Sequence, residues 1–303
     1  MKATLTILGC GSALPTKKNF PSSQILEIRD KQYMIDCGEG TQIRMRQHGI
    51  RTNRLNHIFI SHLHGDHCFG LIGMISSLGM LHRTADLHIH AQPDLEKILK
   101  PQLMYFCQEL SFDIIFHDIN PRKHELIYED RSIMVYTIPL KHRVPCCGFL
   151  FEEKQRDKHI IRQMIDYYQI PTWRILKIKQ GEDFITEEGE IIPNDQLTIP
   201  AEAPIRFAYC SDTAYSEKII PIIEGVDCLF HEATFLEEEM NRSNQTEHST
   251  ARQAGEIALK ANVKKLIIGH FSARYNNQKE LLDEAKAVFE NTVLGEDLTI
   301  YEI

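Results

Sequence analysis

Short apolar runs recur along the chain, and several end on a polar side chain capable of binding a metal. Apolar or alternating runs predict strands over 3–8, 23–28, 32–35, 57–61, 86–91, 133–140, 148–151, 206–209, 228–230, 265–268 and 298–303. Between some of them, apolar positions three and four apart predict helices over 40–48, 69–81, 94–107, 250–261 and 278–291. Pro93-Asp94 suits the start of the third helix, and Ser249 or Thr250 can cap the fourth. Strand clusters broken by helices describe a mixed-sheet α/β architecture.

One segment departs from this rhythm. Residues 154–179 carry seven Lys or Arg against two Asp, with an amphipathic stretch over 159–168 and then Ile170-Pro171-Thr172-Trp173. Residues 182–195 are strongly acidic. The segment from 152 to 203 therefore reads as an insertion projecting from the domain; a solvated surface helix and hairpin is the alternative.

The chain has 303 residues, 43% hydrophobic and 25% charged, which excludes disordered and collagen-like classes. Its net charge of −8 gives no global basic field, so nucleic-acid binding must rest on local patches or bound cations. Eight cysteines without C-x-x-C spacing favour reduced, buried thiols in a cytoplasmic protein. The first residues read as a strand and a turn, not a signal peptide, and no apolar run approaches the ~18 residues that span a bilayer. A soluble intracellular protein with no membrane association is expected. Gly9-Cys10-Gly11 is a poor dinucleotide loop, because Leu14 takes the third glycine position.

Histidine changes the picture: there are 15. His62-Leu63-His64-Gly65-Asp66-His67 follows the run Ile58-Phe59-Ile60 directly. Residues 62 and 64 point the same way if the chain is extended, and Gly65 allows a turn that brings Asp66 and His67 round. Three imidazoles and a carboxylate so close suit zinc, with manganese or iron as alternatives. Other runs end similarly, at Asp36, His142, Asp212 and His270. With His62, His64, Asp66 and His67, the last three give seven candidate ligands, enough for two ions ~3.5–4 Å apart sharing a carboxylate. His88 and His90 alternate on a strand and read as solvent-facing or paired.

These residues resemble the metallo-β-lactamase superfamily, which implies an αββα sandwich of two mixed sheets with outer helices. Within it the chain resembles the ribonuclease Z family of tRNA 3′-processing endoribonucleases. The resemblance rests on Thr6-Ile7-Leu8-Gly9-Cys10-Gly11-Ser12-Ala13-Leu14-Pro15-Thr16, Ile35-Asp36-Cys37-Gly38-Glu39-Gly40-Thr41-Gln42, Ser211-Asp212-Thr213, His231-Glu232-Ala233-Thr234-Phe235, His248-Ser249-Thr250 and Gly269-His270-Phe271-Ser272-Ala273-Arg274-Tyr275.

The resemblance implies a single domain over 1–303, with 152–203 as a flexible tRNA-binding arm. It implies two Zn2+ per chain: His62, His64 and His142 on one, Asp66, His67 and His270 on the other, Asp212 bridging. Asp66 would accept a proton from the attacking water. His248, oriented by Glu232, would serve the departing 3′ oxygen, and Asp36 would fix a ligand tautomer. Ser272 and Arg274 would contact phosphate, with Lys17, Arg174, Lys177 and Lys179 as further RNA contacts. A homodimer acting on precursor tRNA is implied, cutting after the discriminator nucleotide to leave a 3′-hydroxyl; a small-molecule phosphodiesterase or arylsulfatase-like hydrolase is the alternative. Two positions depart from the family pattern: the arm tip lacks glycine, and Lys18-Asn19 stands where an Arg-Asn pair is common. Trp173 reads equally as an RNA-stacking ring or as packing on a dimer mate.

Overall fold

The computed structural model describes residues 3–303. The chain divides into two compact units, one of residues up to 152 and from 205 onward, the other Glu153–Pro204. The larger unit begins with β1 (Thr4–Gly9), β2 (Ser23–Ile28), β3 (Lys31–Cys37), β4 (Leu55–Phe59), β5 (Leu87–Ala91) and β6 (Ile114–Asp118). Then come β7 (Leu126–Glu129), β8 (Ile133–Pro139) and β9 (Cys147–Glu153). The smaller unit holds β10 (His159–Ile160), β11 (Phe184–Ile185), β12 (Ile191–Ile192) and β13 (Thr198–Ile199). The larger unit resumes with β14 (Arg206–Cys210), β15 (Cys228–Glu232), β16 (Leu266–Gly269), β17 (Thr292–Leu294) and β18 (Thr299–Glu302).

Two seven-stranded mixed sheets result, in the orders β18-β1-β2-β3-β4-β5-β6 and β17-β16-β15-β14-β9-β8-β7. β3 to β6 are parallel in the first and β14 to β17 in the second. Strands covered on both faces need apolar residues at successive positions, which explains the near-continuous runs. Alternate residues of the first sheet divide between two cores. Ile7, Tyr33, Ile35 and Phe59 join Val135, Phe149, Phe151 and Tyr209 of the second sheet. Met34, Ile58 and Ile89 pack instead with Leu71, Ile75, Leu95 and Leu99 of the helices Leu71–Met80 and Pro93–Phe106. Phe59 lies 5.5 and 5.4 Å from the rings of Phe149 and Phe151, so truncating it to alanine would cost about 3–5 kcal/mol. The helices Ala251–Lys260 and Lys279–Lys286 pack on the second sheet.

Thr250 caps the helix Ala251–Lys260 in a full capping box: its hydroxyl accepts from the Gln253 N–H, and the Gln253 side chain accepts from the Thr250 N–H. The expected helix over 69–81 is preceded by a separate helical turn, Gly65–Cys68. That over 278–291 stops at Lys286, because the chain turns into β17. β6, β7 and β17 are strands the sequence pattern did not predict. They are short, and β6 ends on His117 and Asp118.

The smaller unit has its own core of Ile170, Ile178, Phe184, Ile192 and Leu197. Asn194 ties it together, donating to the Ile178 and Glu182 carbonyls at 2.6 and 2.8 Å. Residues 159–168 form not one amphipathic helix but β10 followed by the helix Arg162–Tyr167. Trp173, on the helix Thr172–Lys179, is 68% exposed. No helix among the described residues is long and apolar enough to cross a membrane.

Candidate metal centre and active site

Strand ends and the loops after them deliver the chemistry to one edge of the two sheets. Asp36 lies near the end of β3, His62 after β4, His142 after β8, Asp212 after β14, Glu232 at the end of β15 and His270 after β16. Asp36 and His270 adopt left-handed backbone, with φ of 57° and 59°. Such geometry costs a non-glycine residue ~1–3 kcal/mol and persists where surrounding bonds over-determine it. Asp36 illustrates this. Its Oδ1 accepts the Ser61 N–H at 2.8 Å, and its Oδ2 accepts from Ser61 Oγ, Tyr209 OH and His67 Nδ1 at 2.9, 2.7 and 2.7 Å.

The seven candidate ligands converge: His62, His64, His142 and Asp212 form one group, and Asp66, His67 and His270 a second that Asp212 also approaches; Asp212 and His270 form a further group with His248. In the first, His62 Nε2 lies 3.0 Å from His64 Nδ1 and 3.5 Å from Asp212 Oδ2, and His142 Nε2 lies 3.3 Å from His64 Nδ1 and 3.7 Å from the same oxygen. In the second, His67 Nε2 lies 3.4 Å from Asp66 Oδ2 and 3.3 Å from Asp212 Oδ1; His270 Nε2 lies 3.4 and 3.1 Å from those oxygens. Bonds of 2.0–2.1 Å to a tetrahedral ion put ligand atoms ~3.3 Å apart, so the spacing fits.

The surroundings fit as well. His67 Nε2 is buried and has no hydrogen-bond partner among the described residues. The remote nitrogens are engaged: His62 Nδ1 with Ser61 Oγ at 3.0 Å, His142 Nδ1 with the Glu247 carbonyl at 3.0 Å, His270 Nδ1 with Thr234 Oγ1 at 3.0 Å. This fixes tautomers and aims the other nitrogen at the centre. Burial, reinforced by neighbouring imidazoles, lowers the His64 pKa to about 4 and also lowers those of His62 and His142, keeping lone pairs free. Burial alone would lower His67, but Asp212, Asp36 and Asp66 raise it well above its ordinary value. Those carboxylates call for positive charge. Burial alone would raise Asp66 and Asp212, yet the surrounding imidazoles hold both well below the carboxylate range.

Beside the ligands, His248 Nδ1 donates to Glu232 Oε1 at 2.8 Å. Glu232 is fully buried; it also accepts the Thr213 N–H at 2.8 Å and the Thr234 hydroxyl at 2.5 Å. Burial alone would lower the His248 pKa, but the Glu232 charge outweighs it and raises the imidazole to about 9. The His248 ring lies 5.1 Å from that of His142 and 5.3 Å from that of His270.

Comparison with known proteins agrees with this geometry. The chain is 59% identical to a ribonuclease Z of Parabacteroides distasonis, over 97% of this chain and 96% of the relative. It is 55% identical to one of Bacteroides thetaiotaomicron, over 98% and 94%. The chain belongs to the ribonuclease Z family. The crystal structure of the short form of human tRNase Z matches with a TM-score of 0.72 at 22% identity, over 99% of each chain. A metallo-β-lactamase fold protein from Bacillus subtilis matches with a TM-score of 0.70 at 18% identity, over all of both chains. Residues 3–161 also match the sequence model of a family described as Anti-Pycsar protein Apyc1, a span that holds His62 to His142 but not Asp212 or His270. The fold is that of the metallo-β-lactamases, and the family is one of metal-dependent nucleases.

Other expected contacts of this ribonuclease Z family member are placed less simply. Ser272 and Lys17 line one small cavity at the surface. Arg274 is committed to Glu239 at 2.8 Å and lies 5.3 Å from the Phe235 ring centroid. In the smaller unit, Arg174 and Lys177 pair with Glu182 at 3.6 and 3.9 Å, and Lys179 is half-buried. Gly65 does not adopt left-handed backbone; it is needed for space, since a Cβ there would meet the Phe69 ring at 2.3 Å. Sequence reasoning missed Ser61, Tyr209 and Thr234, which support the ligands. Ser61, adjoining His62, and Thr234, two residues after Glu232, carried a local signal. Tyr209 reaches Asp36 from 173 positions away.

Proposed function

We propose that this chain removes the 3′ trailer of precursor tRNA, using a pair of divalent ions, zinc in the first instance. The observation that carries the proposal is the buried Glu232–His248 pair set against the two ligand groups, in a chain whose relatives are ribonucleases Z. His62, His64 and His142 would hold one ion, Asp66, His67 and His270 the other, with one Asp212 oxygen toward each. Such ions, when bound, lower the pKa of water and neutralise charge developing on phosphate.

The residues then divide the work. Asp36 holds His67 in the tautomer that presents Nε2. Asp66 takes the proton of the attacking water. Glu232 keeps His248 protonated and oriented. As the new P–O bond forms and the P–O3′ bond breaks, His248 gives its proton to O3′, which leaves as the hydroxyl of the discriminator nucleotide. The phosphate stays on the trailer. The smaller unit, the Glu153–Pro204 insertion, would grip the tRNA body through its cations, with Trp173 available to a base or to a dimer mate. A cytoplasmic homodimer is the assembly this reading implies.

Incubation of metal-loaded protein with a precursor tRNA carrying a short trailer tests this. A tRNA ending in a 3′-hydroxyl at the discriminator and a trailer with a 5′-phosphate are expected. No cleavage by protein of full metal content, or a trailer with a 5′-hydroxyl, overturns it.

A further inference from the structure

A second groove opens beside His142, with a volume of about 830 Å3. Arg122, Lys141, Arg143 and Lys218 line it, Tyr215 forms part of its wall, and no Asp or Glu does. All four cations are exposed, and among the described residues none makes an ion pair. Several other surface cations are matched: Arg274 with Glu239, Lys260 with Glu217, Lys264 with Asp227. Four unmatched cations around one concavity, in a chain of net charge −8, repel one another. Such an arrangement is relieved by an anion that enters from outside.

The groove leads to the ligand cluster. His142 lines it, and Arg143 also lines a separate opening of about 430 Å3 that contains His64 and Asp66. That second opening has no other Lys or Arg and includes Glu39. A polyanion passing through the cleavage site therefore meets more positive charge in the groove than in that second opening. A concavity of about 830 Å3 holds a few unpaired nucleotides and is too small for a duplex. In a precursor tRNA the unpaired strand is the segment around and beyond the cut.

We propose that this groove holds the 3′ trailer, with Arg122, Lys141, Arg143 and Lys218 tracking its phosphates. The proposal rests on the reading of the site as a tRNA 3′ endonuclease. It assigns a binding role to residues outside both the ligand set and the insertion.

The test compares wild type with the double variant Arg122→Ala/Lys218→Ala on one tRNA body carrying trailers of increasing length, from a single nucleotide to a dozen. The wild-type to variant ratio of kcat/KM should climb with trailer length, reaching about tenfold at 0.15 M salt for two lost phosphate contacts. With the long trailer, the slope of log kcat/KM against log salt should flatten by about 1.4, at ~0.7 per phosphate on a single strand. The swap Arg122→Lys/Lys218→Arg should restore both. A ratio that does not change with trailer length overturns the proposal alone, since the cations then serve the tRNA body or nothing. A wild type that cuts none of the substrates overturns the underlying reading, and the proposal with it.

Discussion

His67 donates its Nδ1 proton to Asp36 across 2.7 Å, and that bond decides which nitrogen of His67 faces the ligand cluster. Asp36 Oδ2 takes two further donors, Ser61 Oγ and Tyr209 OH, so the carboxylate is fixed from both sheets. Asp36→Asn removes the charge and places an amide among donors that need an acceptor. Metal affinity should fall about 10- to 100-fold, the usual effect of losing a carboxylate behind a ligand histidine. Metal content per chain after equilibration with a graded chelator measures it. Wild-type retention would rule out the positioning role.

His248 and Glu232 should separate by the leaving group they serve. His248→Ala should lower kcat on precursor tRNA by about 10²–10⁴, the range for a general acid, with metal content unchanged. On an aryl phosphodiester whose phenolate leaves without a proton, the same variant should lose far less. Glu232→Gln should show the same pattern at smaller amplitude, because His248 keeps its place but loses the charge that favours its protonated form. Equal losses on both substrates would point to a structural role.

A second group of histidines predicts acid sensitivity. His57, His88, His90 and His117 stack between the sheets, with ring separations of 4.7 Å for His57–His88 and 4.5 Å for His90–His117. Nδ1 to Nε2 contacts of 3.2 and 2.9 Å join His57 to His90 and His88 to His117. Burial, then the neighbouring imidazoles, lowers the pKa of His57 to about 3 and of His90 to about 2. Both are lowered on folding, so below about pH 6.5 the unfolded chain binds protons that the folded chain excludes. Stability should therefore fall as pH drops from 6.5 toward 3, by up to ~1.4 kcal/mol per pH unit for each group. His90→Phe, stacking on Phe59 as His90 does at 4.4 Å, should make that slope shallower by about the contribution of one group. Urea unfolding of both proteins at pH 7, 6 and 5 gives the comparison.

The histidine stack also shows where sequence reading stops. The convergence of the H-x-H-x-D-H side chains was legible because one short stretch of chain carries four candidate ligands, and that of His142, Asp212 and His270 because each follows an apolar run. The two sheets were legible from runs long enough to be covered on both faces. The stack was not, because His57, His88, His90 and His117 meet only through the parallel register of β4, β5 and β6, and β6 gave no pattern of its own. The same holds for Tyr209 on Asp36 and for Arg143, whose relation to the ligands is set by the fold. The pairing of Arg274 with Glu239 is likewise invisible in a motif that reads only as a cation near a ligand.

The insertion can be removed without tearing the sheet. Glu152 of β9 and Arg206 of β14 are antiparallel partners, joined by an Arg206 Nε to Glu152 Oε1 bond of 2.7 Å. The chain ends flanking residues 153–205 are therefore already neighbours, and a two-residue Asn-Gly turn can close them as a hairpin. Because the excised unit carries its own core, its loss leaves in place the inter-sheet core and the core between the first sheet and its helices. The shortened protein should keep its metal content and unfold with a midpoint near that of the full chain. Its kcat/KM on precursor tRNA should drop at least tenfold, mainly through KM, and the salt dependence of that KM should weaken as phosphate contacts are lost. Turnover of a small aryl phosphodiester, which reaches the ligands without the tRNA body, sets the baseline. Precursor tRNA cut at the full-length rate by the shortened chain would place the grip on the tRNA elsewhere.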